Sequence, residues 1–211
     1  SKAVLRDSFT QVKTVGGADY FPVGDKILAA VVVCKYPSFE IVEKKTFLLD
    51  NPLPSRSEYL AYRVMPAIIE AFNELSEEPD VLFVHGNGIN HPRKFGLASH
   101  LGLALQIPTL GVVTNNNVGN IENGKIMFEN EIVGFAIKTR EHANEIYVSP
   151  GHLMCLGSAL QLVKDSVRFP HKMPEPLHIA HKLAKKKAKK MVEEWNLDCL
   201  FSERKNLIIL N

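Results

Sequence analysis

The stretch that most constrains the fold of this chain runs from Val81 to Val113. It opens with an unbroken apolar run, Val81-Leu82-Phe83-Val84, which reads as a buried strand. A loop follows from His85 to Gly96, carrying Gly86, Gly88, His91 and Arg93, and then a helical segment from Leu97 to Leu105. After a turn at Ile107-Pro108, Thr109 to Val113 reads as another strand. Strand, helix and strand in that order call for parallel pairing, so this segment alone demands an α/β sheet. In open sheets of that kind, ligands gather past the carboxyl ends of the strands, where this loop falls. Gly86 and Gly88 let backbone come close to a ligand, and His91 and Arg93 add donors beside it.

Upstream, residues 1–11 predict a short leading helix or arm. Val12 to Tyr20, Ile27 to Cys34 and Glu40 to Leu49 read as three strands of an antiparallel meander, with a turn at Phe21 to Lys26. Gly16-Gly17 within the first strand predicts a close approach or a bulge. From Ser57 to Leu75, apolar residues recur at helical spacing, and Pro66 inside that run predicts a kink or two helices.

Downstream, Asn115 to Asn120 is a polar loop. Lys125 to Phe128, Glu131 to Lys138 and Glu145 to Val148 read as short strands of a second antiparallel set, with Asn123-Gly124 as a hairpin turn. Ser149-Pro150-Gly151-His152 precedes a helix to about Val167. Met173-Pro174-Glu175-Pro176 breaks the chain before a basic helix to about Trp195, and Leu207-Ile208-Ile209-Leu210 reads as an added edge strand. No internal repeat is visible. Three antiparallel strands, then helix, parallel strand, helix and parallel strand is the order of the ribonuclease H-like fold. The expectation is an α/β protein with a mixed central sheet flanked by helices. It forms one domain over residues 1–211, with a basic C-terminal helix and tail from about 175.

Composition narrows the setting. With 45% apolar and 23% charged residues, the 211-residue chain can bury a substantial core, and no apolar run is long enough to cross a bilayer. The beginning of the chain lacks a signal-peptide core. Cys34, Cys155 and Cys199 are widely spaced and lack a CxxC pattern, which favours a reducing, cytoplasmic setting over a disulfide framework or a structural zinc site. The formal net charge is only +2, but Lys182 to Lys190 concentrates positive charge. Such a run is either a solvated helix face or a set of phosphate contacts.

One block, His91-Pro92-Arg93-Lys94-Phe95-Gly96-Leu97-Ala98-Ser99-His100-Leu101-Gly102, closely resembles the pattern of the endonuclease V family. Gly17-Ala18-Asp19-Tyr20, Ile107 to Val112, Tyr147 to His152 and Pro174-Glu175-Pro176 match in order, so the resemblance spans about Val12 to Ala184. It implies a ribonuclease H-like fold and magnesium-dependent (Mg2+) nicking of DNA or RNA near inosine and other deaminated bases, in nucleic-acid repair or turnover. It further implies Asp19 and His152 as catalytic residues, and Gly86, Gly88, His91, Arg93 and Gly96 as the base-binding or nucleic-acid-binding set.

Several family positions are substituted. Where the resemblance implies a metal-binding glutamate the chain has Val64, and where it implies an aspartate it has His85. A lysine position falls near Thr114, and the family's Pro-Tyr-Ile-Pro-Gly wedge corresponds to Pro54-Ser55-Arg56-Ser57-Glu58, with Ser55 in place of the aromatic. Magnesium prefers oxygen ligands in octahedral geometry, and valine supplies none. The residues left for a metal are Asp19 and His85, joined by His152 in a site suited to zinc or manganese (Zn2+, Mn2+), or His85 only bonds locally. Weak or lost cleavage is therefore expected. The alternatives are a non-catalytic protein that binds nucleic acid or a modified base on the same fold, and a pocket turned to another small ligand. The basic helix at Lys182 to Lys190 is a candidate nucleic-acid contact, and the oligomeric state is open.

Overall fold

The computed structural model describes residues 3–55 and 59–208, and side chains as far as Trp195. A nine-stranded mixed sheet has the order β3-β2-β1-β4-β5-β9-β8-β7-β6. Its first part is the predicted meander: β1 (Thr14–Val23), β2 (Lys26–Lys35) and β3 (Ile41–Leu49), paired antiparallel. The first strand runs into the expected turn, because Val23 pairs with Lys26 and only Gly24-Asp25 is needed to reverse the chain. Gly24 takes φ +62°, which glycine adopts at little cost.

Helix α1 (Leu60–Asn73) follows as one helix that contains Pro66, not two. Then come β4 (Val81–His85), α2 (Leu97–Leu105) and β5 (Thr109–Val113), with β4 parallel to both β1 and β5. These strands are buried on both faces, which is why their sequence is continuously apolar instead of alternating.

The second antiparallel set is β6 (Asn120–Glu122), β7 (Lys125–Phe128), β8 (Glu131–Ile137) and β9 (Ile146–His152). Asn123 and Gly124 turn the first hairpin with positive φ. β6 begins at Asn120, the last residue of the segment expected to be loop. Ser149 to His152 continue β9 rather than lead a helix, because they pair with Thr109 to Gly111 of β5. Helix α3 (Leu156–Ser166) begins only after Cys155, whose sulfur accepts from Ser158 N–H as a cap.

Helix α4 runs from Glu175 to Ile208. Leu207 and Ile208 therefore belong to a helix, not to the expected edge strand, while Ile209 and Leu210 lie outside the described residues. No leading helix forms among the described residues before β1, and an arm packs there instead. Asp7 accepts from Cys155 N–H at 2.8 Å, and Ser8 N–H donates to Leu153 O at 3.3 Å.

Two apolar clusters cover the sheet. One joins Val15, Phe83, Val112 and Val148 to α3 and to Leu177 and Ala180 of α4. The other joins Ala18, Val31, Val84 and Leu101 to Val64, Ile68 and Phe72 of α1. Gly17 explains how α4 comes so close to β1: a Cβ there would lie 2.1 Å from Pro176 O, so the pair Gly16-Gly17 marks a close approach. Among the described residues no helix is long and apolar enough to cross a membrane.

Candidate functional site

Asp19 sits within β1, and His85 ends β4. Because Ala18 pairs with Val84 in parallel register, the next residue on each strand falls side by side. Alternation then sends Ala18 and Val84 into the α1 cluster and turns Asp19 to the opposite face, under α4. His85 Nδ1 lies 2.8 Å from Asp19 Oδ1. From α4, His181 Nδ1 lies 2.8 Å from Asp19 Oδ2. The two imidazole rings stand nearly edge-on, with centroids 6.4 Å apart.

Asp19 is only 1% exposed, while the side chains of His85 and His181 are 35% and 49% exposed. The carboxylate is thus sealed beneath two imidazoles that reach solvent. Burial by itself pushes the Asp19 carboxyl up. Hydrogen bonds with His181 and His85, the charge of His85 and the Tyr20 N–H more than offset it, and the group titrates below its ordinary value. For His85, burial disfavours the charged ring, but the bond to Asp19 and its charge prevail and raise the pKa. Among the described residues, Asp19, His85 and His181 are the trio that could hold a metal ion, with one donor atom from each lying within 4.8 Å of the others.

Of the other residues with expected roles, Val64 is fully buried in the apolar cluster that contains Ala18 and Val84. Thr114 and Ser55 are exposed, and Arg56 lies outside the described residues. His152 is not brought to Asp19. It pairs with Thr109 at the start of β5, whereas His85 pairs with Val112 at the other end, about 10 Å along the strands. His152 is 4% exposed, its Nδ1 accepts from Val4 N–H at 3.2 Å, and burial lowers its pKa.

The histidine that completes the cluster, His181, was missed in the sequence. Its signal was there: buried Leu177, Ala180, Ala184 and Ala188 form the inward stripe of α4, and His181 adjoins it six residues after Glu175.

Beside His85 opens a cavity of about 490 Å³ at the carboxyl ends of β4 and β5. Gly86, His91, Arg93 and Gly96 line it, together with His85, Thr114 and the rings of Tyr20, Tyr62, Phe95 and His100. Gly88 lies behind the wall. Its N–H donates to Ser149 Oγ at 2.9 Å and to Asn90 Oδ1 at 3.1 Å, and a Cβ there would meet Pro150 O at 2.1 Å. Ile89 N–H to Pro150 O, Gly96 N–H to Gly88 O and Ala98 N–H to Asn87 O complete the pinning. Lys94 ties the loop to Glu129 and Glu131 at 2.9 and 2.7 Å. The loop is thus held in one shape by backbone bonds, reinforced by the side chains of Ser149, Asn90 and Lys94.

A ribonuclease H-like sheet with a buried acidic side chain on its first strand, and a pinned glycine loop past the ends of its parallel strands, defines the class. The family model for endonuclease V matches residues 1–182, and the chain belongs to that family. Endonuclease V of Dictyoglomus turgidum is 32% identical over 201 residues, covering 91% of this chain and 87% of that protein. The crystal structure of human ENDOV superposes with a TM-score of 0.82 at 27% identity, covering 90% of this chain and 93% of that one. Endonuclease V of Ciona intestinalis, solved with a 23mer DNA containing an inosine followed by a ribo-adenosine, has a TM-score of 0.81 at 27% identity. That match covers 90% of this chain and 92% of the other.

Proposed function

We propose that this protein binds nucleic acid containing a deaminated base and carries a phosphodiester-cleaving centre of reduced power. The observation that carries the reading is the pinned cavity lined by His85, which joins it to Asp19 and through Asp19 to His181, in a chain of a family whose Ciona intestinalis member was solved with inosine-containing DNA. In this reading Gly86, His91, Arg93 and Gly96 shape the space for the base, and Gly88 holds the wall in place. The rings of Phe95 and His100 exclude water from it. One domain over residues 1–211, free thiols at Cys34 and Cys155 suited to a reducing cytoplasm, and phosphate contacts from Lys182 to Lys190 belong to the same proposal. The basic run is partly self-neutralised, since Lys189 and Lys190 pair with Glu193 and Glu194 at 3.7 and 3.5 Å.

The donor set bears on the metal. One carboxylate and two imidazoles do not suit magnesium, which prefers oxygen and near-octahedral geometry. They do suit manganese, zinc or another first-row ion that accepts nitrogen. Such an ion, when bound, supplies an activated water and neutralises charge on the leaving oxygen. Asp19 orients both rings through their Nδ1 atoms and favours the charged form of His85, so that ring can hold a proton beside a phosphate. A second reading, binding without cleavage, draws support from Val64. Its buried side chain leaves the trio with a single carboxylate.

Incubation with single-stranded and duplex oligonucleotides, with and without inosine, in magnesium, manganese or zinc separates these readings. Nicking near inosine in manganese or zinc, abolished by Asp19→Ala, supports the cleaving centre. Inosine-selective retention in a gel without nicking supports the binding protein. Equal affinity for plain and inosine-containing strands removes the base pocket from the proposal.

A further inference from the structure

The run from Lys182 to Lys190 holds six lysines, and α4 does not present them alike. The buried stripe of Leu177, Ala180, Ala184 and Ala188 lies on the sheet and divides the rest of the helix into two flanks. One flank looks toward β3, where Lys187 Nζ donates to Thr46 Oγ1. The other looks toward β4, on the opposite side of β1, where His181 meets Asp19 beside His85. Each residue turns a helix by about 100°, so Lys185 stands about 40° from His181 and one turn further on. Lys182 stands about 100° round in the same sense, Lys186 about 140° round on the outer face, and Lys187 about 120° round in the opposite sense.

The surroundings separate these lysines further. Lys182 and Lys185 are exposed, and neither makes an ion pair among the described residues. Lys189 and Lys190 instead face Glu193 and Glu194 at 3.7 and 3.5 Å. Toward the start of α4 the flank beside His181 is closed. His178 stacks on His171 with ring centroids 3.5 Å apart, and the Glu175 carboxylate lies 2.8 Å from His171 Nδ1. A carboxylate there repels phosphate. Past the end of β5, the cavity wall is formed by Thr114, Asn115 and Asn117, which are uncharged. A strand with a base in the cavity still carries one negative charge at every linkage.

We propose that Lys185 and Lys182 are the residues of the basic run that hold this strand, each meeting one phosphate and together leading the backbone across His181 and along α4. Lys187, Lys189 and Lys190 take no part. The proposal rests on the nucleic-acid-binding reading of the site and names the side chains that carry it.

The test follows binding of the full chain, without added metal, to single strands with and without inosine by fluorescence anisotropy over a range of salt. On a single strand each phosphate contact adds about 0.7 to the slope of log affinity against log salt. Lys185→Gln and Lys182→Gln each lower that slope by about 0.7, and the double variant lowers it by about 1.4. Lys185→Arg keeps the slope, and so does Lys187→Gln. All four positions changed are exposed or rest on one side-chain bond, and thermal midpoints confirm that each variant is folded. A second measurement localises the contact. A neutral methylphosphonate, moved from linkage to linkage, weakens the wild type at a linkage near the inosine and costs Lys185→Gln nothing there.

The track is overturned if Lys187→Gln lowers the slope as much as Lys185→Gln, or if no linkage depends on Lys185. Either result means that the charge acts diffusely. If the slopes change as expected but inosine and plain strands bind alike, the base pocket falls and the track stands. A preference for inosine together with an unchanged slope in Lys185→Gln removes the track and leaves the pocket.

Discussion

Asp19 and His181 are 162 residues apart in the chain and 2.8 Å apart in space, Oδ2 to Nδ1. A strand residue buried under a helix is thereby joined to the solvent-facing side of that helix. With His85 on the other carboxylate oxygen, the pair becomes a one-carboxylate, two-imidazole centre.

Removing either of two histidines is expected to have opposite signatures. His181→Ala should lower manganese or zinc affinity at least about tenfold, roughly 1.4 kcal/mol, when titrated calorimetrically. His152→Ala should leave that affinity unchanged. It should instead cost about 1–3 kcal/mol of folding stability, because Val4 N–H loses its acceptor and a buried side chain is lost. Equal loss of metal affinity in both variants would contradict the geometry.

The pH dependence follows from the directions of two shifts. Asp19 titrates below its ordinary 3.8, so its contribution to stability is present above that value and fades as pH falls through the lower folded pKa. His85 titrates above its ordinary 6.5, so its contribution is complete below 6.5 and fades as pH rises through the higher folded pKa. Both act together between 3.8 and 6.5, where the wild type should exceed His85→Asn most in stability. Denaturant unfolding of both proteins across the acid and neutral range checks this, and an advantage that keeps growing into alkali refutes it. Metal affinity should run the other way and rise with pH, because protons compete for the imidazoles.

Val64→Glu places a carboxylate in an apolar cluster where the wild-type side chain is fully buried. Without metal it should cost several kcal/mol, as an unpaired buried ion does. Combined with His85→Asp, it should recover part of that loss on addition of magnesium, seen as a rise in the thermal midpoint. No gain in magnesium affinity in the double variant would mean that the corner has lost more than its ligands.

Gly17→Ala tests how α4 delivers its histidine. The added methyl would lie 2.1 Å from Pro176 O, and backbone cannot yield cheaply there, so the start of α4 must move. The expected result is a stability loss of about 1–3 kcal/mol together with weaker metal binding. Gly24→Ala, at a turn with open space but positive φ, should destabilise without changing metal affinity.

Much of the architecture could be read from local pattern. The meander, the β4-α2-β5 crossover and the Asn123-Gly124 hairpin follow from apolar runs and turn residues whose information is short-range. Errors fell where tertiary partners decide. Ser149 to His152 look like a loop entering a helix, yet they complete β9 because β5 offers its edge. Leu207 and Ile208 look like a strand in isolation, yet they continue a helix begun at Glu175. Pro66 suggests a kink or two helices, and α1 is one helix that contains it, with its buried face against the sheet.

The sequence by itself determined the sheet, the glycine loop and the family, because strand and helix periodicity and ordered motif blocks are written in contiguous residues. Which residues meet was decided only by the tertiary structure. Parallel register set His85 abreast of Asp19, and the close seat of α4 on Gly17 brought in His181. The sheet also carried His152, on the matched Tyr147 to His152 block, to the opposite end of the strands. A residue's spacing along the chain fixes its face on an element. Only packing between elements fixes its neighbours across space.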